Sequence, residues 1–270
     1  MKKICLAMAF ICGLSAQAQI ANDKNVFNHL SVGVGVGTTG VGIEVGTTVC
    51  PVITLRAGVD FMPGLSYNTS LEFDPPSGWY DIPEAIRRRY LPTDDMETDI
   101  KVQPNMVNGK ILADIYLGRN SMFHFTVGAY FGRKSFIQVK AKGEVVYGIG
   151  EFNRDIDKGN IPGIGTEKIL LEGYELGIDQ GRAKASINTK SFKPYVGIGI
   201  GRTTPRKRVG VKFEMGAQFW GKPTLHDDMK GKDIDKDYPG ISSDMSDVID
   251  IAGKVCVYPT IKLTLFGRIF

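Results

Sequence analysis

Beyond its first twenty residues, the 270-residue chain contains no stretch approaching the roughly 18 consecutive apolar residues of a membrane helix. Cysteine is scarce: of four, Cys50 and Cys256 alone lie outside the N-terminal segment, leaving room for at most one disulfide. His29, His124 and His226 are the three histidines and fall on separate elements. No HExxH, Cys/His ligand spacing or GxSxG elbow occurs, so the sequence offers no metal or cofactor site and no ready-made hydrolase. Net charge is small, +4 for the whole chain, which points to no strong electrostatic partner and to no nucleic acid.

What the chain does have begins at its N-terminus. Met1-Lys2-Lys3, an apolar stretch from Ile4 to Leu14 and Ser15-Ala16-Gln17-Ala18 have the anatomy of a secretory signal peptide cut after Ala18. Residues 1–18 are therefore expected to be removed, leaving 19–270 as a single domain. Losing Lys2 and Lys3 lowers the formal charge from +4 to +2.

Period-two alternation then recurs eight times. The strands are expected over Leu30–Gly37, Val41–Gly46, Ile53–Phe61, Val107–Leu117, Phe123–Phe131, Tyr195–Gly201, Val209–Phe219 and Val257–Phe270. Each has one apolar face and one face of glycines, hydroxyls and charges. Long segments follow strands three, five and seven, whereas the connections after two, four and six are short. With both termini in the periplasm, all the long segments fall outside the cell, the loop asymmetry of outer-membrane barrels. The expected fold is all-β, an eight-stranded antiparallel transmembrane β-barrel with long extracellular loops. Two alternatives stay open. Ile137, Val139 and Ala141 in the second long segment alternate as well, either as a projecting hairpin or as part of a ten-stranded barrel. A secreted β-sandwich would also alternate, although glycine-lined faces suit a narrow lumen better than a solvated surface.

The inward faces carry Glu44, Arg56, Asp60, Lys110, Asp114, Lys212, Glu214, Lys262 and Arg268. Buried charges are costly unless paired, so a cross-lumen ion-pair network that plugs the barrel is expected. A gate for small ions is the sharper alternative. Gly35-Val36-Gly37-Thr38-Thr39-Gly40 matches a dinucleotide fingerprint in letters alone, because a strand and not a helix follows it. Topology places Cys50 at the periplasmic end and Cys256 near the outer end, so no disulfide between them is expected. Phe270 is the candidate terminal assembly signal. Simple alternation puts it on the face of Lys262, and a bulge near Gly267 would turn it toward lipid.

Recognition, if any, belongs to the long segments. The first offers Trp79, Tyr80, Arg87, Arg88 and Arg89 as candidates for anionic sugars or lipid headgroups, on a short helix opened by Pro83 and Glu84. The third has a short amphipathic helix pattern over Ser242–Ala252, with Met245, Val248, Ile249 and Ala252 as its stripe. Asp155, Asp157 and Asp179 lack the order of an EF-hand. His226 near Asp227 and Asp228 is a loose catalytic candidate with no positioned nucleophile.

Three stretches, Phe192–Arg202, Phe213–Pro223 and Val257-Tyr258-Pro259, together with the glycine-rich first hairpin, resemble uncharacterised small outer-membrane β-barrel proteins. The resemblance implies an integral protein of the bacterial outer membrane, non-enzymatic, with outer-membrane lipid and the barrel assembly machinery as partners. Arg268 departs from it, since such barrels usually carry a second aromatic two residues before the last. The expected role is structural or surface-binding through the outer loops, with an unidentified extracellular ligand. A narrow channel for small solutes or ions is the alternative, and a lipid-modifying barrel enzyme a more distant one.

Overall fold

The computed structural model describes residues 29–93, 96–161, 167–234 and 256–269, together with 242, 246, 247, 249, 250 and 254. In chain order its strands are β1 (Leu30–Gly37), β2 (Gly40–Cys50), β3 (Ile53–Phe61), β4 (Tyr67–Glu72), β5 (Glu97–Pro104), β6 (Val107–Tyr116), β7 (Phe123–Gly132) and β8 (Ser135–Lys142). They continue with β9 (Ile178–Asp179), β10 (Arg182–Asn188), β11 (Phe192–Ile200), β12 (Val209–Phe219), β13 (Thr224–Asp227), β14 (Lys232–Ile234) and β15 (Val257–Arg268). Two helices, α1 (Glu84–Tyr90) and α2 (Glu144–Asp157), lie in the first two insertions.

Eight strands close a barrel in the order β1-β15-β12-β11-β7-β6-β3-β2, all antiparallel. The seam between first and last strand is fully paired, from Ser31 opposite Arg268 to Gly37 opposite Lys262. Closure leaves no free edge in the wall, so its backbone polar groups are satisfied by neighbouring strands and not by water. The alternation sorts the side chains as the sequence implies. Val34, Ile43, Val59, Ile111 and Leu265 point out and are exposed, whereas Glu44, Arg56, Asp60, Asp114 and Lys212 point in and are buried. Such an exterior has no place in water. An apolar band on a closed barrel belongs in a bilayer, and a meander of antiparallel strands is how chains cross the bacterial outer membrane. No helix among the described residues is long and apolar enough to cross.

The alternating strand at Ile137, Val139 and Ala141 is β8, and it belongs to a second sheet and not to a ten-stranded barrel. That sheet runs β14-β13-β10-β8-β5-β4, with β9 beside β10. Its order repeats the order of β12, β11, β7, β6 and β3 in the barrel, because each strand continues its barrel neighbour across a short link: Asn105-Met106 joins β5 to β6, and Arg133-Lys134 joins β7 to β8. One side of the wall therefore rises beyond the membrane as an open sheet. On the other side β1 and β2 meet at the Thr38-Thr39 turn.

The insertions thus build a folded head where the sequence suggests loops. Phe73, Trp79, Ile82, Leu91, Met96, Ile149, Phe152 and Ile169 form its core, with Phe152 set edge-on to Trp79 at 5.2 Å and to Tyr90 at 5.5 Å. Val146 of α2 packs with Ile100, Ala141 and Ala183 on the inner face of the sheet. Helix α1 forms where Pro83 and Glu84 predict it.

Two glycines show why the lumen face is so poor in side chains. A Cβ at Gly42 would collide with the Asp60 carboxylate, and one at Gly46 with the Thr203 methyl. Pairing of β15 runs without a register shift through Gly267 and Arg268, so no bulge turns the strand there. Residues 1–18 and Phe270 lie outside the described residues, as does most of the helix expected over Ser242–Ala252. No disulfide joins Cys50, at the periplasmic end of β2, to Cys256, just before β15.

Candidate functional site

Inward-facing charges meet in the middle of the barrel. Arg56 on β3 is the hub: its Nη1 lies 2.7 Å from Glu44 Oε2, its Nε 3.1 Å from Asp114 Oδ1, and its Nη2 against Glu214. Lys110 Nζ bridges Glu44 at 2.5 Å and Asp60 at 2.9 Å, and Lys262 Nζ bridges the same two carboxylates at 2.6 Å each. Lys212 Nζ reaches Asp114 at 2.5 Å and Glu214 at 3.0 Å. Four carboxylates and four cations balance, and none of the eight residues is more than 4% exposed. Every carboxylate also accepts from a hydroxyl or a second cation: Thr39 donates to Asp60 at 3.1 Å, Thr126 to Asp114 at 2.8 Å and Tyr195 to Glu214 at 2.8 Å. In so dry a space, this completeness is what keeps ionised groups tolerable. Of the nine residues read as lumen charges, Arg268 stands apart. It is half-exposed at the periplasmic end of β15, two residues past Phe266, and makes no ion pair among the described residues.

Further residues occupy the two ends of the lumen. Below, the β11–β12 turn folds back into the barrel. Thr203 donates to Asp114 Oδ2 at 2.5 Å, its carbonyl accepts from Ser31 at 2.7 Å, and Thr204 meets Thr48 at 2.8 Å. Above, Trp220 stacks on Tyr258 at 4.3 Å while Phe136 meets its edge at 4.4 Å. Lys193 lies beneath this lid, donating to Asn108 Oδ1 at 2.9 Å with its Nζ 5.5 Å from the Trp220 ring. Neither the turn nor the lid was read from the sequence. The turn looks like an ordinary basic connection, Thr203 to Arg208, and nothing in its composition says that it folds inward. Lys193 and Tyr195 do carry the inward parity of β11 and were legible in principle.

Asp114, His124 and Glu214 each offer a ligand atom within 4.8 Å of the others. They do not fit a metal well, because the Lys212 ammonium and the Arg56 guanidinium already hold both carboxylates. His124 Nε2 sits 3.7 Å from Glu214 Oε2, too far for a hydrogen bond.

The loop candidates divide. Trp79 is 1% exposed in the head core and presents no binding surface, because its indole supplies the largest apolar area in that core. Tyr80 is exposed, with the Arg87 guanidinium 5.4 Å from its ring centre. Arg88 pairs with Glu84 at 2.5 Å one turn earlier, and Arg89 lies 5.9 Å from the Tyr90 ring. The triple arginine is thus partly engaged within its own helix. His226 bonds Asp233 at 2.6 Å, and the neighbouring Ser186 donates to Asp228 at 2.9 Å. Asp227 is buried and accepts the Gly177, Met229 and Lys230 amides, so it holds a turn together. Asp155 and Asp157 are engaged separately, with Tyr90 and with Lys168.

No family model matches the chain, and no curated protein sequence matches it. Among solved structures it is similar to Acinetobacter baumannii CarO, at 15% identity over 90% of this chain and 99% of that one, with a TM-score of 0.47. The CarO2 form from the same organism gives 14%, 89%, 98% and 0.46, and Neisserial surface protein A gives 9%, 89%, 92% and 0.26. These likenesses are to small outer-membrane barrels. At such distances they add nothing to the argument, which rests on this chain's closed wall, apolar exterior and charged interior.

Proposed function

We propose that this chain is a non-conducting outer-membrane barrel that presents a folded extracellular head, and that it acts by surface binding or envelope structure and not by transport or catalysis. The observation that supports the reading is how the lumen is filled. Its charges cancel within one connected network, a periplasmic turn fills it from below, and an aromatic lid covers it from above. A permeating ion would have to break several buried ion pairs at once, each strengthened by the low dielectric around it. The non-catalytic part is supported by His226, which faces Asp233 with no activated nucleophile at its other side. The barrel assembly machinery would insert the chain, and the head would meet the extracellular ligand.

Planar-bilayer recording on the refolded, full-length mature protein tests this. The expected result is a membrane that stays at baseline conductance across the voltage range. Steady open-state current of reproducible unit size would overturn the reading in favour of a narrow channel.

A further inference from the structure

The face of the head sheet turned away from α2 carries a feature that the sealed barrel does not use. Lys101 on β5, Lys140 on β8 and Lys184 on β10 are register partners, side by side across three adjacent strands. One step further out, Lys142 stands opposite Arg182. Like charges directly opposite one another destabilise a sheet. Lysines commonly protect exposed edge strands, but β8 is interior, with β5 and β10 on either side. Lys184 is paired with Asp228 at 3.1 Å, Asp99 shares the face beyond Lys101, and Asp179 stands opposite Arg182 in register. Lys101, Lys140 and Lys142 are exposed and make no ion pair among the described residues.

This face is the outward one. On β11, Phe192, Val196 and Ile198 point to lipid, and the same parity followed back along the chain gives Lys190, Asn188, Ser186, Lys184 and Arg182. A register shift places Asn188 opposite Ser135, skipping Phe136, which turns in to the Trp220 lid and keeps Gln138, Lys140 and Lys142 outward. The apolar membrane wall therefore runs without a break into the basic face. Rows succeed one another in order. Exposed Phe131 and Phe192 are followed by Arg133 and Lys190, then by the neutral row Gln103, Gln138 and Ser186, then by the lysines. At roughly 3.3 Å per residue, Lys190 stands about 7 Å along the strand beyond Phe192, and Lys184 about 26 Å.

We propose that this outward face binds the phosphorylated saccharide headgroup of an anionic glycolipid in the outer leaflet. Acyl chains would lie against the wall below Phe131 and Phe192, phosphates against Arg133 and Lys190, sugar hydroxyls against Gln103 and Gln138, and further acidic groups against Lys101, Lys140 and Lys142. The inference rests on the surface-binding reading above, and names the lipid side of it.

The test uses the full mature protein in phosphatidylcholine nanodiscs, with native mass spectrometry counting added glycolipid per barrel. The probes are a bis-phosphorylated lipid A carrying inner-core sugars, its dephosphorylated form, and the phosphorylated saccharide without acyl chains. We expect preference for the phosphorylated lipid, and a loss of about ten-fold or more in K101Q/K140Q/K142Q at low salt, narrowing at high salt as the lysine charges of the unaltered protein are screened. Equal binding of the two lipid forms, or an unaffected triple variant, overturns the proposal. Equal binding of the acyl-free saccharide overturns the lipid source. Those exposed positions leave the barrel intact, and baseline conductance of the same variant separates failure here from failure of the sealed-barrel reading.

Discussion

Along β11 the inward residues are Lys193 and Tyr195 and the outward ones Phe192, Val196 and Ile198; along β10, a few residues earlier in the same wall, the inward residues are Ala183 and Ala185 and the outward ones Arg182 and Lys184. Barrel and head thus share a wall and invert its chemistry. Side assignment is set by the pleat and survives the crossing, whereas the polarity of each side follows the medium outside it. In the barrel, lipid faces the apolar side and the polar side must satisfy itself. In the head, water takes the polar side and the apolar side covers α2. The inversion between Asn188 and Phe192 marks the membrane's outer boundary without reference to any helix.

The two halves should therefore fail for opposite reasons. In the barrel the largest expected effect comes from Arg56→Ala. It leaves Glu44, Asp114 and Glu214 facing one another without their shared guanidinium. Removing one partner from a buried charge network costs about 3–5 kcal/mol. The heat-modifiable, fast-migrating gel band of the folded barrel should weaken or vanish. Unchanged migration and unchanged urea resistance would show that water reaches the lumen and screens the acids.

In the head the corresponding change is Ile149→Ala, which removes a fully buried side chain from the apolar core it shares with Phe152 and Leu91. A core truncation of this kind costs roughly 2–5 kcal/mol, but here the loss is confined to one region. Limited proteolysis should cut within the two helical insertions while the barrel band keeps its heat-modifiable migration. Loss of both together would mean that head and barrel fold as one unit.

The barrel was legible because its rule is periodic. Each strand repeats the same two-faced pattern, and Glu44, Arg56, Asp60, Lys110, Asp114, Lys212, Glu214 and Lys262 all fall on the predicted face. Arg268 shares that parity but sits at the last paired position of the wall, at the mouth of the barrel, where parity no longer implies burial. The head was not legible, since its core comes from residues scattered over two insertions, Phe73 to Met96 and Ile149 to Ile169, with no common period. Trp79 looked like a binding residue for the same reason: a large aromatic in a polar segment can serve a ligand or a core, and only tertiary contacts separate them. The inward turn at Thr203 gave no signal, because inward folding depends on the free space left by Gly46 in the lumen.

The smallest expected effect tests whether a phenol–carboxylate bond in the head lets go in alkali. Burial, with a hydrogen bond to Asp155 at 2.7 Å, pushes the Tyr90 phenol from 10.0 up to about 12. The same bond holds the Asp155 carboxyl below its usual value. A phenol whose folded pKa is raised contributes stability that is complete below about pH 10 and is lost as pH climbs toward 12. The carboxyl's contribution runs the other way, present above its unfolded pKa and lost in acid as pH falls through the lowered value. The chain's two tryptophans report on the two regions separately, Trp79 in the head core and Trp220 at the barrel lid. In W220F, the emission of Trp79 should shift to the red between pH 10 and 12. In W79F, the emission of Trp220 should stay in place over the same range. Adding Tyr90→Phe to W220F removes the titrating phenol and should abolish the head's alkaline shift; a shift that persists would assign it to other groups and leave Tyr90 as packing alone.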